Sequence, residues 1–205
     1  MNPNPAELSP DSNQWRTLLE TAQVANPQAH SRFAQLATLQ GGAEPRPAVR
    51  TVVVRFFLND GRLLISTDMR SEKVQELALN PNCELCWYFT ETREQFRLSG
   101  RAHVVGADTA RLDARLDKPM QRTWAERSAA ARQSYTWPQP MNKRGDEQAF
   151  ASPALSAEPT EIPAHFALLL LDVVTVDYLN IHANPHQRVL FNKLGGQWRG
   201  RAVNP

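Results

Sequence analysis

The chain has 205 residues, of which 41% are hydrophobic and 21% charged, as in an ordinary globular domain. Its 23 basic and 21 acidic residues leave a net charge of +2, too small to indicate a nucleic-acid or membrane-surface partner. No apolar run reaches the roughly 18 residues that span a bilayer, and the N-terminus has neither the basic start nor the apolar block of a secretory signal. We therefore expect a single cytoplasmic domain over residues 1–205.

The first half of the chain is predicted to contain two helices and three strands after a polar start, residues 1–11, that is expected to be disordered. Hydrophobic spacing, β-branched runs and turn residues define these elements. In chain order they are the helix WRTLLETAQVA, the strands FAQLATLQ and AVRTVVVRFFLN, the hairpin turn Asn59-Asp60-Gly61, the strand RLLISTD, and the helix SEKVQELALN with Ser71 as its N-cap.

The second half is predicted to contain five strands, one helical region and one proline-rich surface loop. In chain order these are the strands CELCWYFT and QFRLSGRAHVV, a helical region over 107–135 with a break at Pro119, the loop over 137–163, and the strands HFALLLLDVVTVDYLNI, HQRVLFNK and QWRGRAV. Strands joined by short hairpins, with helices between only some of them, predict a mainly β fold, an antiparallel barrel with helical decoration.

Cys83 and Cys86 form a CxxC pair, which raises the question of a metal or redox site. A zinc site needs two further ligands at suitable spacing, and the sequence has no matching His or Cys pair. The surrounding residues are typical of a strand, in which positions three apart face opposite sides. We favour two reduced, partly buried thiols.

The segment from Arg50 to Gln95 suggests a ligand site. Arg50 and Arg55 bracket a valine-rich strand, and the following strand ends in hydroxyls and cations where a helix is predicted to begin. These residues are Ser66, Thr67, Arg70, Ser71 and Lys73. A helix N-terminus offers free N–H groups and a positive dipole end, and arginine offers paired donors that match phosphate oxygens. The pattern predicts a site for an organic phosphate with an apolar ring attached, and solvated surface charges are the alternative.

Two of these cations pose a geometric problem. Arg50 and Arg55 are five residues apart, so a regular strand directs them to opposite faces. Both can contact one ligand only if a bulge intervenes or if the site lies at a subunit interface.

Lys73 is informative for another reason, because a cation in the first helical turn opposes the helix dipole unless an anion is bound.

These motifs resemble those of the pyridoxamine 5'-phosphate oxidase-like family, the FMN-binding split barrels. The resemblance rests on RTVVVR, TDMRSEK, CWYF followed by TREQFRLSG, and the closing QWRGRAVNP. It implies an antiparallel Greek-key FMN-binding split barrel, a homodimer with FMN at the subunit interface, and a small-molecule substrate. Neither a nucleic acid nor a membrane is an expected partner.

The resemblance also implies cofactor contacts for individual residues. The strand would lie along the flavin, the turn residues named above would bind the phosphate, and further contacts would come from separate segments. The implied residues are Arg50, Thr51, Val52, Val53 and Arg55 on the strand, Gln95 at the family's spacing beyond Lys73, Gln133 and Ser134 from the second subunit, and His186 and Arg188 of a His-x-Arg motif. Arg188 or Arg55 is the candidate cation for the N1–C2 edge of the ring.

Departures from the family pattern bear on activity. Glu72 stands where the commonest enzyme has an arginine, so Arg70 would have to supply that charge. The Tyr, Arg and Ser that hold the substrate phosphate there have no counterparts between Arg111 and Trp124, which argues against activity on vitamin B6 phosphates. We therefore predict an FMN-dependent oxidoreductase for a small organic substrate. A non-catalytic flavin, haem or deazaflavin binding protein is the alternative, and a nucleic-acid-binding barrel is disfavoured by the near-neutral charge.

Overall fold

The computed structural model describes residues 14–151 and 161–205, so the predicted disorder of residues 1–11 and part of the predicted loop over 137–163 lie outside the described residues. The described chain contains eight strands. They are β1 (Phe33–Gln40), β2 (Arg46–Phe57), β3 (Leu63–Asp68), β4 (Asn82–Phe89), β5 (Glu94–Gly106), β6 (Phe166–Asn180), β7 (Gln187–Leu194) and β8 (Gln197–Val203).

The eight strands form one antiparallel sheet in the order β3-β2-β1-β4-β5-β6-β7-β8, and β3 also pairs with β6. The first six strands of this order therefore close into a barrel, while β7 and β8 extend the sheet from β6. This confirms the predicted fold class, an antiparallel barrel with helical decoration.

The helices lie between strands or ahead of them. They are α1 (Gln14–Ala25), α2 (Glu72–Leu79), α3 (Ala107–Ala110), α4 (Ala114–Ala125) and α5 (Ala129–Gln133), with short 3-10 turns at Ala29–Arg32, Ser134–Thr136 and Glu147–Phe150. Among the described residues, no helix is both long and apolar enough to cross a bilayer.

Strand β6 separates two hydrophobic cores, because successive side chains of a strand face opposite sides. Leu169 and Leu171 belong to the first core, which fills the barrel and includes Trp15 of α1. Leu168 and Leu170 belong to the second core, which packs the α3–α5 region against the outside of the barrel. The long apolar run in this strand thus reflects burial on both faces.

The predicted helix break at Pro119 is wrong, because Pro119 lies inside α4. The actual breaks flank α4, where Asp113 caps its start and Ser128 caps α5. Burial of Leu116 and Met120, one turn apart on one side of α4, stabilises the helix across the proline. Tertiary packing therefore outweighs the hydrogen bond that proline cannot donate.

The two cysteines face opposite sides of β4, as predicted. Cys83 is buried in the first core, whereas Cys86 is half-buried on the other face, and both are free thiols. Burial raises the pKa of Cys83 to about 12, so this thiol is unreactive. In the part of the chain that the structure describes, no group of His, Cys, Asp and Glu is arranged to hold a metal ion.

Candidate functional site

Inward-facing residues of two neighbouring strands meet at one end of the barrel. On β2, Val54 and Val52 belong to the first core, and Arg50 is the next residue on that side. On β3, Ile65 belongs to the same core and Thr67 follows it. Val54 pairs with Ile65 in antiparallel register, so Arg50 and Thr67 lie at the same barrel end.

Lys73 joins these residues from the first turn of α2. Its Nζ donates to Ser71 Oγ at 3.0 Å and to Thr67 Oγ1 at 3.4 Å. Burial lowers the pKa of Lys73, and the nearby charge of Arg50 lowers it further. Within residues 14–151 and 161–205, Lys73 forms no ion pair with a carboxylate. We call Arg50, Thr67, Ser71 and Lys73 the barrel-end group.

Ser71 occupies the predicted N-cap position of α2 but does not cap the helix with its side chain. Its hydroxyl instead donates to the carbonyl of Asp68 at 2.7 Å. The first-turn N–H groups of α2 therefore have no side-chain cap, although that of Val74 donates to the carbonyl of Ser71 at 2.9 Å. A helix start in this state favours an anion.

Arg50 is oriented by partners that the sequence did not reveal. Its Nη2 donates to Glu76 Oε2 at 2.7 Å, and its Nη1 donates to Thr38 Oγ1 and to the carbonyl of Ala48 at 3.0 Å. Glu76 is only 6% exposed, so Arg50 is the cation that balances a buried carboxylate. One turn of helix separates Glu76 from Lys73, but spacing alone does not predict that a glutamate is buried.

The chemistry of the barrel-end group fits a phosphate ester. It offers an ammonium, a guanidinium, two hydroxyls and a helix start without a side-chain cap. Of the nearby carboxylates, Glu76 is held by Arg50 and Asp68 by Arg70. Charged donors and helix N–H groups are the usual ligands of phosphate oxygens. The donor set therefore fits the phosphate of FMN.

Arg70 does not join the barrel-end group, although the sequence assigned it to the same phosphate site. Its Nε and Nη2 donate to the carboxylate of Asp68 at 3.0 and 2.7 Å, and its Nη1 donates to the carbonyl of Trp137 at 2.8 Å. The carbonyl of Tyr135 lies 3.4 Å from Nη2. These contacts tie the turn before α2 to the chain that follows α5, because the guanidinium satisfies main-chain acceptors there.

Arg55 and Ser66 also lie apart from the barrel-end group. The register between β2 and β3 shifts between Val54 and Phe56, so Arg55 is the extra residue of a bulge. Its Nε donates to Ser66 Oγ at 3.2 Å. The bulge that sequence reasoning required is present, yet it does not bring Arg55 to the partners of Arg50.

Other predicted residues lie on the side of the sheet opposite the first core. We call this the outer face, and it comprises Phe33, Gln35, Thr51, Val53, Glu84, Cys86, Tyr88, Gln95, Arg97, Asp177, Leu179 and Arg188. Gln95 and Arg188 both pair with Leu179, from either side, so they lie two strands apart on this face. Val52, between Thr51 and Val53, points into the core instead.

Ion pairs cross the outer face. Asp177 accepts from Arg188 at 3.0 and 2.7 Å and from Arg97 at 3.4 Å, and Arg97 also pairs with Glu84 at 2.9 Å. Hydrogen bonding to Asp177 raises the pKa of Arg188. Asp177 thereby orients the guanidinium of Arg188. The Arg188 side chain is still 34% exposed, so it remains accessible to a ligand.

The remaining predicted residues are not gathered into either group within this chain. Gln133 ends α5, and Ser134 donates to the carbonyl of Ala131 at 2.9 Å. His186 is exposed in the loop before β7, so it does not share a strand with Arg188 as predicted.

Comparison with known proteins gives concordant results. The family model of the pyridoxamine 5'-phosphate oxidase FMN-binding domain matches residues 12–106. Pyridoxine/pyridoxamine 5'-phosphate oxidase 2 of Arabidopsis thaliana is 38% identical over 201 residues, which cover 93% of this chain and 96% of the relative.

Two solved structures share the fold over the whole chain. A pyridoxamine 5'-phosphate oxidase-related, FMN-binding protein from Nostoc punctiforme superposes with a TM-score of 0.83 and 36% identity, covering 100% of both chains. PhzG from Burkholderia lata superposes with a TM-score of 0.77 at 19% identity, covering 100% of this chain and 98% of the other, and it supports the fold alone.

Proposed function

Because this chain belongs to the pyridoxamine 5'-phosphate oxidase family of FMN-binding proteins, we propose that it is an FMN-dependent oxidoreductase for a small organic substrate. We further propose that it works as a homodimer with FMN at the subunit interface. The observation that carries the proposal is the barrel-end group, where Lys73 donates to the hydroxyls of Thr67 and Ser71 at a helix start without a side-chain cap, and Arg50 is near enough for its charge to lower the pKa of Lys73. Bound FMN supplies hydride and electron transfer, and the protein supplies binding and orientation.

The barrel-end group would hold the phosphate of FMN. Lys73 supplies a positive charge while the hydroxyls of Thr67 and Ser71 accept from it. The proton of Thr67 can go to a phosphate oxygen, and that of Ser71 can do so when it leaves the carbonyl of Asp68. Arg50 is already positioned by Glu76, so its remaining N–H groups need little reordering to donate.

The outer face would receive the ring. Thr51 and Val53 lead from Arg50 along β2. Gln95 and Arg188 lie on the outward side of strands that are three and five positions from β2 in the sheet, so they would contact the ring that is bound along β2 of the partner copy. Asp177 holds Arg188 in place, so its positive charge is preorganised to stabilise negative charge on a bound ring.

A second copy of the chain would cover the ring. Tyr88 is 40% and Phe33 46% exposed on the outer face, which is uncovered within one chain. Isologous pairing of two such faces buries apolar rings and excludes water from both sites. Gln133 and Ser134, which join neither group within one chain, would then reach the cofactor of the partner.

Cofactor titration tests the binding part of this proposal. Purified protein should show the absorption bands of oxidised flavin or should quench the fluorescence of added FMN on binding. Lys73→Ala should raise the Kd for FMN about tenfold or more, because a charge-assisted hydrogen bond is lost. Lys118→Ala, which removes an exposed lysine of α4, is the matched control. Equal FMN affinity in the two variants would contradict the placement of the phosphate.

Turnover distinguishes an enzyme from a flavin-binding protein. The FMN-loaded protein should be reduced anaerobically by NAD(P)H or by pyridoxine phosphate, and it should reoxidise in air. A flavin that binds but is never reduced by such donors would favour the non-catalytic alternative.

A further inference from the structure

A cleft between α2 and β5 shares no residue with the barrel-end group or the outer face. It encloses a cavity of about 490 Å³, a volume that suits one small organic molecule. Most of its walls are apolar, and they include Met69, Val74, Leu77, Ala78 and Val104. None of the apolar residues that line it is aromatic, so the walls favour an aliphatic ligand over a flat ring that needs a stacking partner.

The cleft exists because β5 extends beyond its neighbour β4. The last pair between these strands joins Asn82 to Arg101, and the N–H of Ala102 then donates to the carbonyl of Pro81 at 2.8 Å. Residues 103–106 of β5 have no strand beside them on that side. The cavity opens at this free edge, which is why residues from both faces of β5 line it.

The free edge leaves one main-chain donor available to a ligand. The N–H groups of a strand point alternately to its two neighbours, so that of Val104 points to the same side as that of Ala102. Among the described residues, none accepts a hydrogen bond from Val104 on this side. A partly buried N–H group of this kind is stabilised when a ligand or water accepts from it.

Two polar side chains complete the cleft. Arg101 and His103 both line the cavity and are exposed, and their spacing places them on one face of β5. The side chain of Arg101 forms no hydrogen bond or ion pair within the described chain. Asp172, directly opposite Arg101 on β6, pairs instead with Lys193 at 3.4 Å. The cleft therefore presents an unpaired guanidinium and an imidazole beside aliphatic walls.

These donors match a carboxylate better than a cation or a neutral group. A guanidinium offers paired N–H donors, an imidazole offers another, and a carboxylate has two oxygens that accept from them. None of the described residues that line the cavity is acidic, so nothing in the walls repels a negative charge.

We propose that the cleft between α2 and β5 binds an aliphatic carboxylate of the fatty-acid type. The carboxylate lies at Arg101 and His103, with the N–H of Val104 as a further donor. The hydrocarbon chain lies against Leu77 and Ala78 of α2. The inference goes beyond the function proposed above and does not depend on it.

The test follows the binding of three probes with similar hydrocarbon chains to FMN-loaded protein by calorimetry. Octanoate should bind. Octanol and octylammonium, which lack the negative charge, should bind at least about tenfold more weakly. Equal binding of octanoate and octanol, or no binding of octanoate, overturns the proposal.

Two variants assign octanoate to the cleft. Arg101→Ala should raise the Kd of octanoate about fivefold or more, because a charge-assisted hydrogen bond is lost. Ala78→Trp fills the cavity from α2 and should raise the Kd by at least as much. Both positions are exposed, so neither change should unfold the protein. Unchanged octanoate binding in Arg101→Ala overturns the proposal.

Arg199→Ala is the matched control. It also removes an exposed strand arginine that forms no ion pair within the described chain. Octanoate affinity should stay as it is in the unsubstituted protein. A loss as large as that in Arg101→Ala would show that octanoate responds to overall charge, which overturns the proposal.

The result is separable from that for FMN. Octanoate binding is measured again in Lys73→Ala apoprotein, where the barrel-end group is weakened. Binding that survives there but is weakened in Arg101→Ala supports the cleft whether or not FMN loads. Binding lost in Lys73→Ala and retained in Arg101→Ala assigns the carboxylate to the barrel-end group and overturns the proposal.

Discussion

At the scale of single residues, the protonation of Lys73 links the barrel-end group to pH. Burial and the charge of Arg50 lower its pKa below the ordinary value of 10.5. A bound phosphate favours the protonated form, so binding requires proton uptake once the free site has lost its proton. We expect FMN affinity to be highest below the lowered pKa and to fall as pH rises through it, which fluorescence titration between about pH 7 and 10 measures.

Lys73→Arg is the control for this pH dependence, because a guanidinium stays charged over the whole range. Ionisation of the flavin itself affects both proteins equally. The fall in affinity should therefore be smaller in the arginine variant, and an identical pH profile would show that Lys73 does not contact the phosphate.

Glu76 sets the stability of the same site. It is buried and pairs with Arg50, so Glu76→Gln leaves an uncompensated, partly buried guanidinium. We expect the free energy of unfolding in urea to fall by about 3 kcal/mol. Glu126→Gln removes a carboxylate from an exposed pair with Arg122. This variant should change the free energy of unfolding by less than about 0.5 kcal/mol. Similar losses in the two variants would mean that the buried pair contributes little.

At the scale of elements, one glycine allows β5 and β6 to approach each other. The register between these strands shifts between Ser99 and Gly100, and a Cβ on Gly100 would lie 2.0 Å from the carbonyl oxygen of Asp172. Gly100→Ala should therefore force the strands apart and lower the unfolding free energy by about 3 kcal/mol or more. Thermal unfolding measures the loss.

Gly106, at the end of the same strand, is the matched control. A Cβ there would meet only Met69 Sδ, at 4.0 Å. Gly106→Ala should leave the melting temperature nearly unchanged. If both variants have the same melting temperature as the unsubstituted protein, the strands can relax around the added methyl group. The close approach is then not required.

At the scale of the whole molecule, the proposed dimer would form through the outer face. Tyr88→Lys places a charge in the middle of this face, and Tyr88 is 40% exposed in the single chain. We expect the dimer to dissociate in sedimentation velocity and FMN affinity to fall about tenfold or more, because one side of the cofactor loses its cover.

Leu112→Lys makes the same charge change at a residue that is 89% exposed and lies outside this face. It should leave both the sedimentation coefficient and FMN affinity as they were. A monomeric unsubstituted protein that binds FMN tightly would contradict the proposed assembly.

The sequence by itself determined the strands and helices that position the site, apart from the helix boundaries around Pro119. Period-two alternation, β-branched runs and turn residues are local signals, so they identify β2, β3 and the start of α2 correctly. The grouping of Lys73 with Thr67 and Ser71 could be predicted for the same reason, since all three belong to one strand-to-helix connection.

Only the tertiary structure decided which cations share a site. Arg50 lies near Lys73 at the barrel end because Glu76 of α2 and Thr38 of β1 hold it there, and neither partner is near it in sequence. Arg70 lies closer to Lys73 along the chain, but Asp68 and the carbonyls after α5 satisfy its guanidinium instead. The direction of a long charged side chain depends on the partners that the fold brings to it, and those contacts join residues far apart in the chain.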